Sequence, residues 1–292
     1  MIFAKTDIGG ASNVDMEGAF ASVLRRPGMT TFAYIPMAMA MLFPITAATA
    51  QSGKAGPAER PTIVLVHGAF AESGSWNGVI ERLRADGYSV VAASNPLRSV
   101  KTDAASVASV VNSIKAPVVL VGHSYGGAVI TDAANSATNV KALVYVAAFA
   151  PEAGETSAGL TGKFPGATLG ATLAPPVVLP DGSKDLYIQQ DKFPSQFAAD
   201  VPAPEAALMA ATQRPITEGA LNEPTVAPSW KTRPNWFIYG SADKNIPPAV
   251  QAFMAKRAGS KKTVVIAGAS HVVMTSNPKA VADLIEEAAT AR

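Results

Sequence analysis

Gly122-His123-Ser124-Tyr125-Gly126 sets one serine between two glycines, each two residues away. The apolar run Val118 to Val121 precedes it and an Ala- and Val-containing stretch follows, so the pattern reads as strand, tight turn, helix. Such a turn strains the serine backbone and pushes its hydroxyl out at the carboxyl end of the sheet. Side chains at 122 and 126 would collide with the neighbouring strand and helix, so both positions want glycine. The helix that follows aims its free N–H groups at the place where negative charge would develop. The chemistry this arrangement suits is nucleophilic attack by Ser124.

A serine hydroxyl is a weak nucleophile at neutral pH and needs a base, and the base needs an orienting acid. The chain offers three histidines. His67 precedes the glycine of His67-Gly68-Ala69-Phe70 and is expected to brace that loop. His123 adjoins Ser124, and neighbours in a tight turn project in different directions. His271, in Gly268-Ala269-Ser270-His271, follows the last predicted strand and is the expected base. Asp243, in Gly240-Ser241-Ala242-Asp243-Lys244, follows the strand before it and is the expected acid. Both therefore fall at the carboxyl edge of the sheet, where ligands of α/β proteins bind. An oxyanion hole needs two backbone donors: Tyr125, next to the nucleophile, and Ala69, in the loop that Gly68 allows to come close.

These residues need a sheet to hold them. From Pro61 the chain alternates apolar strands with helical segments, the pattern of a parallel sheet covered on both faces. Strands are expected at Thr62 to Val66, Tyr88 to Ala92, Val118 to Val121, Val140 to Ala147, Asn235 to Tyr239 and Thr263 to Ile266, in the order 2-1-3-4-5-6. Helices are expected at Trp76 to Asp86, from an Asp103 N-cap through Ile114, after Ser124, at Pro247 to Arg257 and at Pro278 to Ala291. The second has Val107, Val110, Val111 and Ile114 on its apolar face.

The alternation breaks from Pro151 to about Arg233, where prolines are frequent and no clean strand shows. So long an interruption reads as a functional insertion, a cap of short helices over the site, with a helical run at Ala203 to Ala211. Phe70 in the first loop, Phe149 after the fourth strand, and Phe193 and Phe197 in the cap are the expected substrate contacts.

The 292 residues are 48% hydrophobic and 16% charged with net charge +2, which suits one large α/β domain and gives no reason to expect nucleic acid. Cysteine is absent, which excludes disulfides, a thiol nucleophile and Cys-ligated metal sites. Arg25-Arg26, the apolar stretch Thr31 to Thr46 and the small residues Ala47 to Ala50 follow the order of a secretory signal. The expectation is cleavage after Ala50, a linker at 51–60, one domain at 61–292 with its cap at about 151–233, and an exported protein, periplasmic or secreted, with no stable membrane association after cleavage. Translation from Met16 is an alternative start, since the segment before the arginines is long for a signal. A membrane anchor is the alternative to a signal. It is disfavoured because the run is short of the ~20 residues that span a bilayer and is broken by Pro36 and Pro44.

The segment from Pro61 onward resembles the α/β-hydrolase superfamily, and within it the branch of plant methylesterases and hydroxynitrile lyases and their bacterial esterase relatives. The resemblance rests on Leu65-Val66-His67-Gly68-Ala69, Gly122-His123-Ser124-Tyr125-Gly126-Gly127, Asp243-Lys244-Asn245-Ile246-Pro247 and Ser270-His271-Val272-Val273-Met274-Thr275-Ser276-Asn277-Pro278. It implies a mostly parallel six-stranded sheet with helices on both faces, ester hydrolysis without metal or organic cofactor, and Ser124, Asp243 and His271 as the triad. The lyase members carry lysine directly after the histidine. Val272 stands there, which disfavours a cyanohydrin lyase.

The expected reaction is two-step acyl transfer on a small, largely apolar ester. Lactones, thioesters and amides stay open, as does a slow or non-catalytic small-molecule binder on the same fold. A dehalogenase or epoxide hydrolase would need an aspartate where Ser124 stands.

Overall fold

The computed structural model describes residues 59–291, so the expected signal and most of the linker lie outside the described residues. Strand β1 (Thr62–Val66) leads through a 3₁₀ turn to helix α1 (Asn77–Ala85), and β2 (Val90–Ala93) to α2 (Val100–Asn112). Strand β3 (Val118–His123) runs into α3 (Tyr125–Ala133), and β4 (Val140–Val146) into the long excursion. That excursion holds α4 (Ser157–Thr161), β5 (Val177–Val178), β6 (Lys184–Leu186), α5 (Phe193–Phe197), α6 (Ala203–Thr212), β7 (Ile216–Thr217) and α7 (Glu218–Asn222). The alternation resumes with β8 (Asn235–Gly240), α8 (Pro248–Arg257), β9 (Lys262–Ile266), α9 (Val273–Ser276) and α10 (Pro278–Thr290).

The large sheet is ordered β2-β1-β3-β4-β8-β9 and every pairing in it is parallel. This is the expected order. The chain steps from β1 to β2, then reverses across β1 to reach β3. Right-handed crossovers therefore put α1 and α2 on opposite faces. Accordingly α1 packs with α10, and α2 with α3. Strands β1, β3, β4 and β8 are buried almost throughout, as continuous Val/Ile/Leu-rich runs in a doubly covered sheet must be.

Three expectations shift. The second strand begins at Val90 rather than Tyr88, because the Tyr88 N–H returns to the Leu83 carbonyl and closes α1 across Gly87. Helix α2 is capped by Ser99, whose side chain accepts the Thr102 N–H. Asp103 is not the cap. It lies buried in the first turn, and its carboxylate accepts the Arg98 N–H at 3.1 Å and the Tyr125 hydroxyl at 3.0 Å. Its apolar face is Ala104, Val107, Ala108 and Val111, while Val110 is only half-buried and Ile114 falls beyond the helix end.

The excursion between β4 and β8 is not purely helical. It contains a small antiparallel sheet, ordered β5-β6-β7. Strands of two or three residues are too short to show alternation in sequence, which is why they escape a periodicity reading. Side-chain and loop contacts fasten this region down. Arg98 pairs with Asp185 at 2.6 Å, and Arg257 clamps Glu155 with two contacts at 2.8 and 2.9 Å. Trp230 Nε1 donates to the Pro151 carbonyl, and the Phe70 N–H to the Arg214 carbonyl.

Candidate active site

Val66 at the end of β1 pairs with Gly122 near the end of β3, so the loops leaving these strands emerge side by side. Gly240 at the end of β8 pairs with Ile266 at the end of β9. The loops with Ala69, Ser124, Asp243 and His271 thus leave one edge of the sheet.

Ser124 stands between β3 and α3 at φ 54° and ψ −124°, a conformation a non-glycine residue holds only when its surroundings impose it. The surroundings are visible. A Cβ at Gly122 would lie 2.6 Å from the Gly126 carbonyl oxygen, and one at Gly126 would lie 2.6 Å from the Val66 carbonyl oxygen. Gly68 brings the loop after β1 across the turn, where a Cβ would meet the Ser124 Cβ at 2.6 Å and the Tyr125 nitrogen at 3.0 Å.

Ser124 Oγ lies 2.9 Å from His271 Nε2, and His271 Nδ1 lies 2.7 Å from Asp243 Oδ2. The carboxylate oxygens only accept, so Nδ1 carries the proton and Nε2 of the neutral ring is left to accept from the serine hydroxyl. Asp243 is itself held from several sides. Its Oδ1 accepts the Asn245 and Ile246 N–H groups at 2.8 and 3.0 Å, and its Oδ2 also accepts Gln251 Nε2 at 2.8 Å. Gln251, in the first turn of α8, was invisible to sequence reasoning, since no motif marks it.

The other two histidines do what their sequence positions suggest. Nδ1 of His67 donates to the Gly68 carbonyl at 2.9 Å, and its Nε2 accepts the Asn95 N–H, so the ring braces the first loop. Burial pushes its pKa down to about 4. His123 does not reach the serine hydroxyl. Its Nε2 donates to the His271 carbonyl at 3.2 Å, and complete burial, followed by the nearby His271, pushes its pKa well below the usual imidazole value. The Tyr125 hydroxyl donates to Asp103, and burial together with that carboxylate raises its pKa.

Both expected oxyanion donors sit beside Ser124. Tyr125 opens α3, where the first-turn N–H has no intrahelical acceptor. The Ala69 N–H makes no hydrogen bond among the described residues.

Above these groups lies a cavity of about 210 Å³. Phe70, Phe149 and Phe197 line it as expected, with Leu169, Leu173 and Leu221 from the β4–β8 excursion and Ile246 beside Asp243. Phe193 does not. It is fully buried one turn before Phe197 on the same face of α5, with ring centroids 4.9 Å apart, so it backs the Phe197 ring without lining the cavity. Phe197 meets the His271 ring at 5.0 Å and the Phe70 ring at 6.1 Å, both edge-on.

The sequence matches the Alpha/beta hydrolase family over residues 63–284. The chain belongs to this family. An alpha/beta hydrolase of Aspergillus novofumigatus (strain IBT 16806), nvfD, is 26% identical over 250 residues, covering 79% of this chain and 97% of its own. Among solved structures, polyneuridine aldehyde esterase superposes with a TM-score of 0.67 at 18% identity, covering 78% of this chain and 99% of itself. A pyrethroid hydrolase from Sphingobium faniae JZ-2 gives 0.63 at 23% identity, with 79% and 98% covered. A methylesterase from Arabidopsis gives 0.62 at 18% identity, with 78% and 98% covered. At these identities the likeness establishes the shared fold.

Proposed function

We propose that this α/β hydrolase is a serine carboxylesterase acting on a small, largely apolar ester through an acyl-enzyme. The observation that carries the reading is the continuous Asp243–His271–Ser124 hydrogen-bonded chain at the floor of an apolar cavity. Ser124 Oγ attacks the ester carbonyl carbon while His271 Nε2 takes its proton. The carbonyl oxygen becomes an oxyanion, held by the N–H groups of Ala69 and Tyr125. Asp243 keeps the proton of neutral His271 on Nδ1 and stabilises the imidazolium once it forms. The imidazolium then protonates the departing alcohol oxygen, leaving an acyl-serine. Water repeats the sequence, His271 again accepting and returning the proton.

The loop bracing explains why the oxyanion donors stay in place. His67 ties the first loop to Asn95, and Asp103 ties Tyr125 to α2. The expected result of treatment with an organophosphate is stoichiometric label on Ser124 and loss of short-chain aryl ester turnover. Label elsewhere, or full turnover by Ser124→Ala, overturns the reading. Ligand-induced thermal stabilisation with no turnover would mean a binding protein instead.

A further inference from the structure

The wall of the cavity over Ser124 changes character from floor to rim. Phe70, Phe149 and Phe197 line it with large rings and are themselves buried. Among the described residues that line it, three are exposed: Ala158 in α4, Ala167, and Gly170 in a 3₁₀ turn (Leu169–Thr172). Residues that border the cavity and also meet water mark where it opens. At that rim no side chain is larger than a methyl group.

Neither the backbone nor crowding demands the glycine. Gly166 holds φ 118°, which other residues rarely adopt, whereas Gly170 has no positive φ. A Cβ at Gly170 would meet no atom within 4 Å. Its direction follows from the turn. Side chains three residues apart in a 3₁₀ turn eclipse each other, and three residues on from Gly170 stands Leu173, which lines the cavity. A side chain at 170 would therefore stand in the opening beside Leu173. The enclosed space is also small. Its volume of about 210 Å³ compares with the roughly 150 Å³ of an apolar cavity that takes one benzene ring. It holds the reacting carbonyl and about one ring-sized group.

We propose that this site takes an ester unequal in its two halves, one enclosed in the cavity and the other leaving to solvent past Ala158, Ala167 and Gly170. This rests on reading the cavity as the ester site. Gly170 and Ala167 are then specificity-determining residues, because they keep the passage open. The enclosed half is limited by the walls, and a methylene too many in such a pocket costs about tenfold or more. The protruding half meets no wall beyond the rim. Half-buried Leu169 and Leu173 give its first carbons an apolar surface to lie against.

The test uses the purified full chain and two series of straight-chain esters. One lengthens the acid of an ethyl ester, and the other lengthens the alcohol of an acetate. In one series kcat/KM is expected not to fall with length. In the other it is expected to drop by about tenfold or more once the chain outgrows the cavity. Gly170→Phe and Ala167→Phe are each expected to lower the long-to-short ratio of the tolerant series by about tenfold or more. Gly219 in α7 is equally uncrowded and exposed but does not line the cavity, so Gly219→Phe is expected to keep that ratio within about twofold. Each ratio is measured on one preparation, so partial misfolding cancels, and either rim variant serves if the other does not fold. Equal behaviour of the two series in the wild type, a ratio that survives both rim substitutions, or the same loss in Gly219→Phe overturns the proposal. In those cases Ser124 still labels and short esters still turn over. Failure of the esterase reading looks different, with neither label nor turnover on any member of either series.

Discussion

The sheet edge and the β4–β8 excursion meet at one cavity but are built by opposite means. At the sheet edge, short contiguous segments dictate their own geometry. Gly122 and Gly126 flank Ser124, and backbone contacts at 2.6 Å leave no room for other residues. In the excursion, the strands are two or three residues long and the helices α4, α5 and α7 have five residues each. Helices so short are not stable alone. Their positions depend on contacts distant in sequence, such as Arg98 with Asp185 and Gln196 with Asn245. On the proposed esterase reading this is a division of labour, with the reaction resting on locally enforced backbone and substrate choice on packing between remote segments.

The sharpest way to break this division is to remove the base. His271→Ala is expected to lower kcat by a factor on the order of 10⁴ or more, and Asp243→Asn by roughly 10⁴ through the wrong tautomer. Steady-state rates on an aryl ester measure both. With a pKa of about 4 for His67 and one well below the usual imidazole value for His123, neither ring gains a proton near neutrality. Any acid limb of kcat/KM near neutral pH should therefore persist in His67→Gln and His123→Gln. Substantial activity in His271→Ala with that limb intact would move the chemistry elsewhere.

The two α5 phenylalanines sharpen the contrast within the cap. Phe193→Ala is expected to destabilise the fold by about 3–5 kcal/mol by opening a core cavity, with relative kcat/KM between esters nearly kept. Phe197→Ala should change those ratios, since its ring lines the cavity and touches His271. Denaturant melts and a two-ester competition separate the cases. Similar selectivity changes in both variants would contradict the assignment of Phe193 to the core.

All three histidines belong to the sheet edge and none to residues 151–233. His67 binds a proton near 6.5 when unfolded but only near 4 when folded. Between those values the unfolded chain holds more protons, so stability is full above pH 6.5 and declines as pH falls toward 4. The loss from this residue is on the order of 3 kcal/mol. Thermal melts across pH 4 to 7 should show it, and His67→Gln should flatten the slope. An unchanged slope would place the acid sensitivity elsewhere.

The smallest effect concerns the tether. The Arg98 side chain is 37% exposed, so solvent screening limits its pairing with Asp185 to about 1 kcal/mol or less. Arg98→Ala should nonetheless speed amide hydrogen exchange in β6 and β7 before it affects β3 or β8, because Arg98 also donates to the Pro215 carbonyl. Uniform acceleration across the sheet would mean that cap and sheet open as one unit.

What the amino-acid sequence determined by itself is the part governed by local rules. Strand runs, helix stops and the glycine turn located Ser124, Asp243 and His271 because each follows a strand in a parallel sheet, and strand ends in such a sheet share an edge. The strand order, expected as 2-1-3-4-5-6, is not fixed by those local rules but by which strands pair across the sheet. Only the tertiary structure decided the rest. Asp103 looked like a helix cap and is instead the buried acceptor for Tyr125 and Arg98. Phe193 and Phe197 looked equivalent and do share a face of α5, yet the cavity reaches only Phe197, and Phe193 lies packed behind it. Gln251 and Gln196 carried no motif, and Asn245 was legible only as a member of Asp243-Lys244-Asn245-Ile246-Pro247; that Gln251 holds Asp243 and that Gln196 reaches Asn245 from 49 residues away is decided by the packing. Hydrogen-bond partners of that kind depend on three-dimensional placement, which local periodicity does not encode.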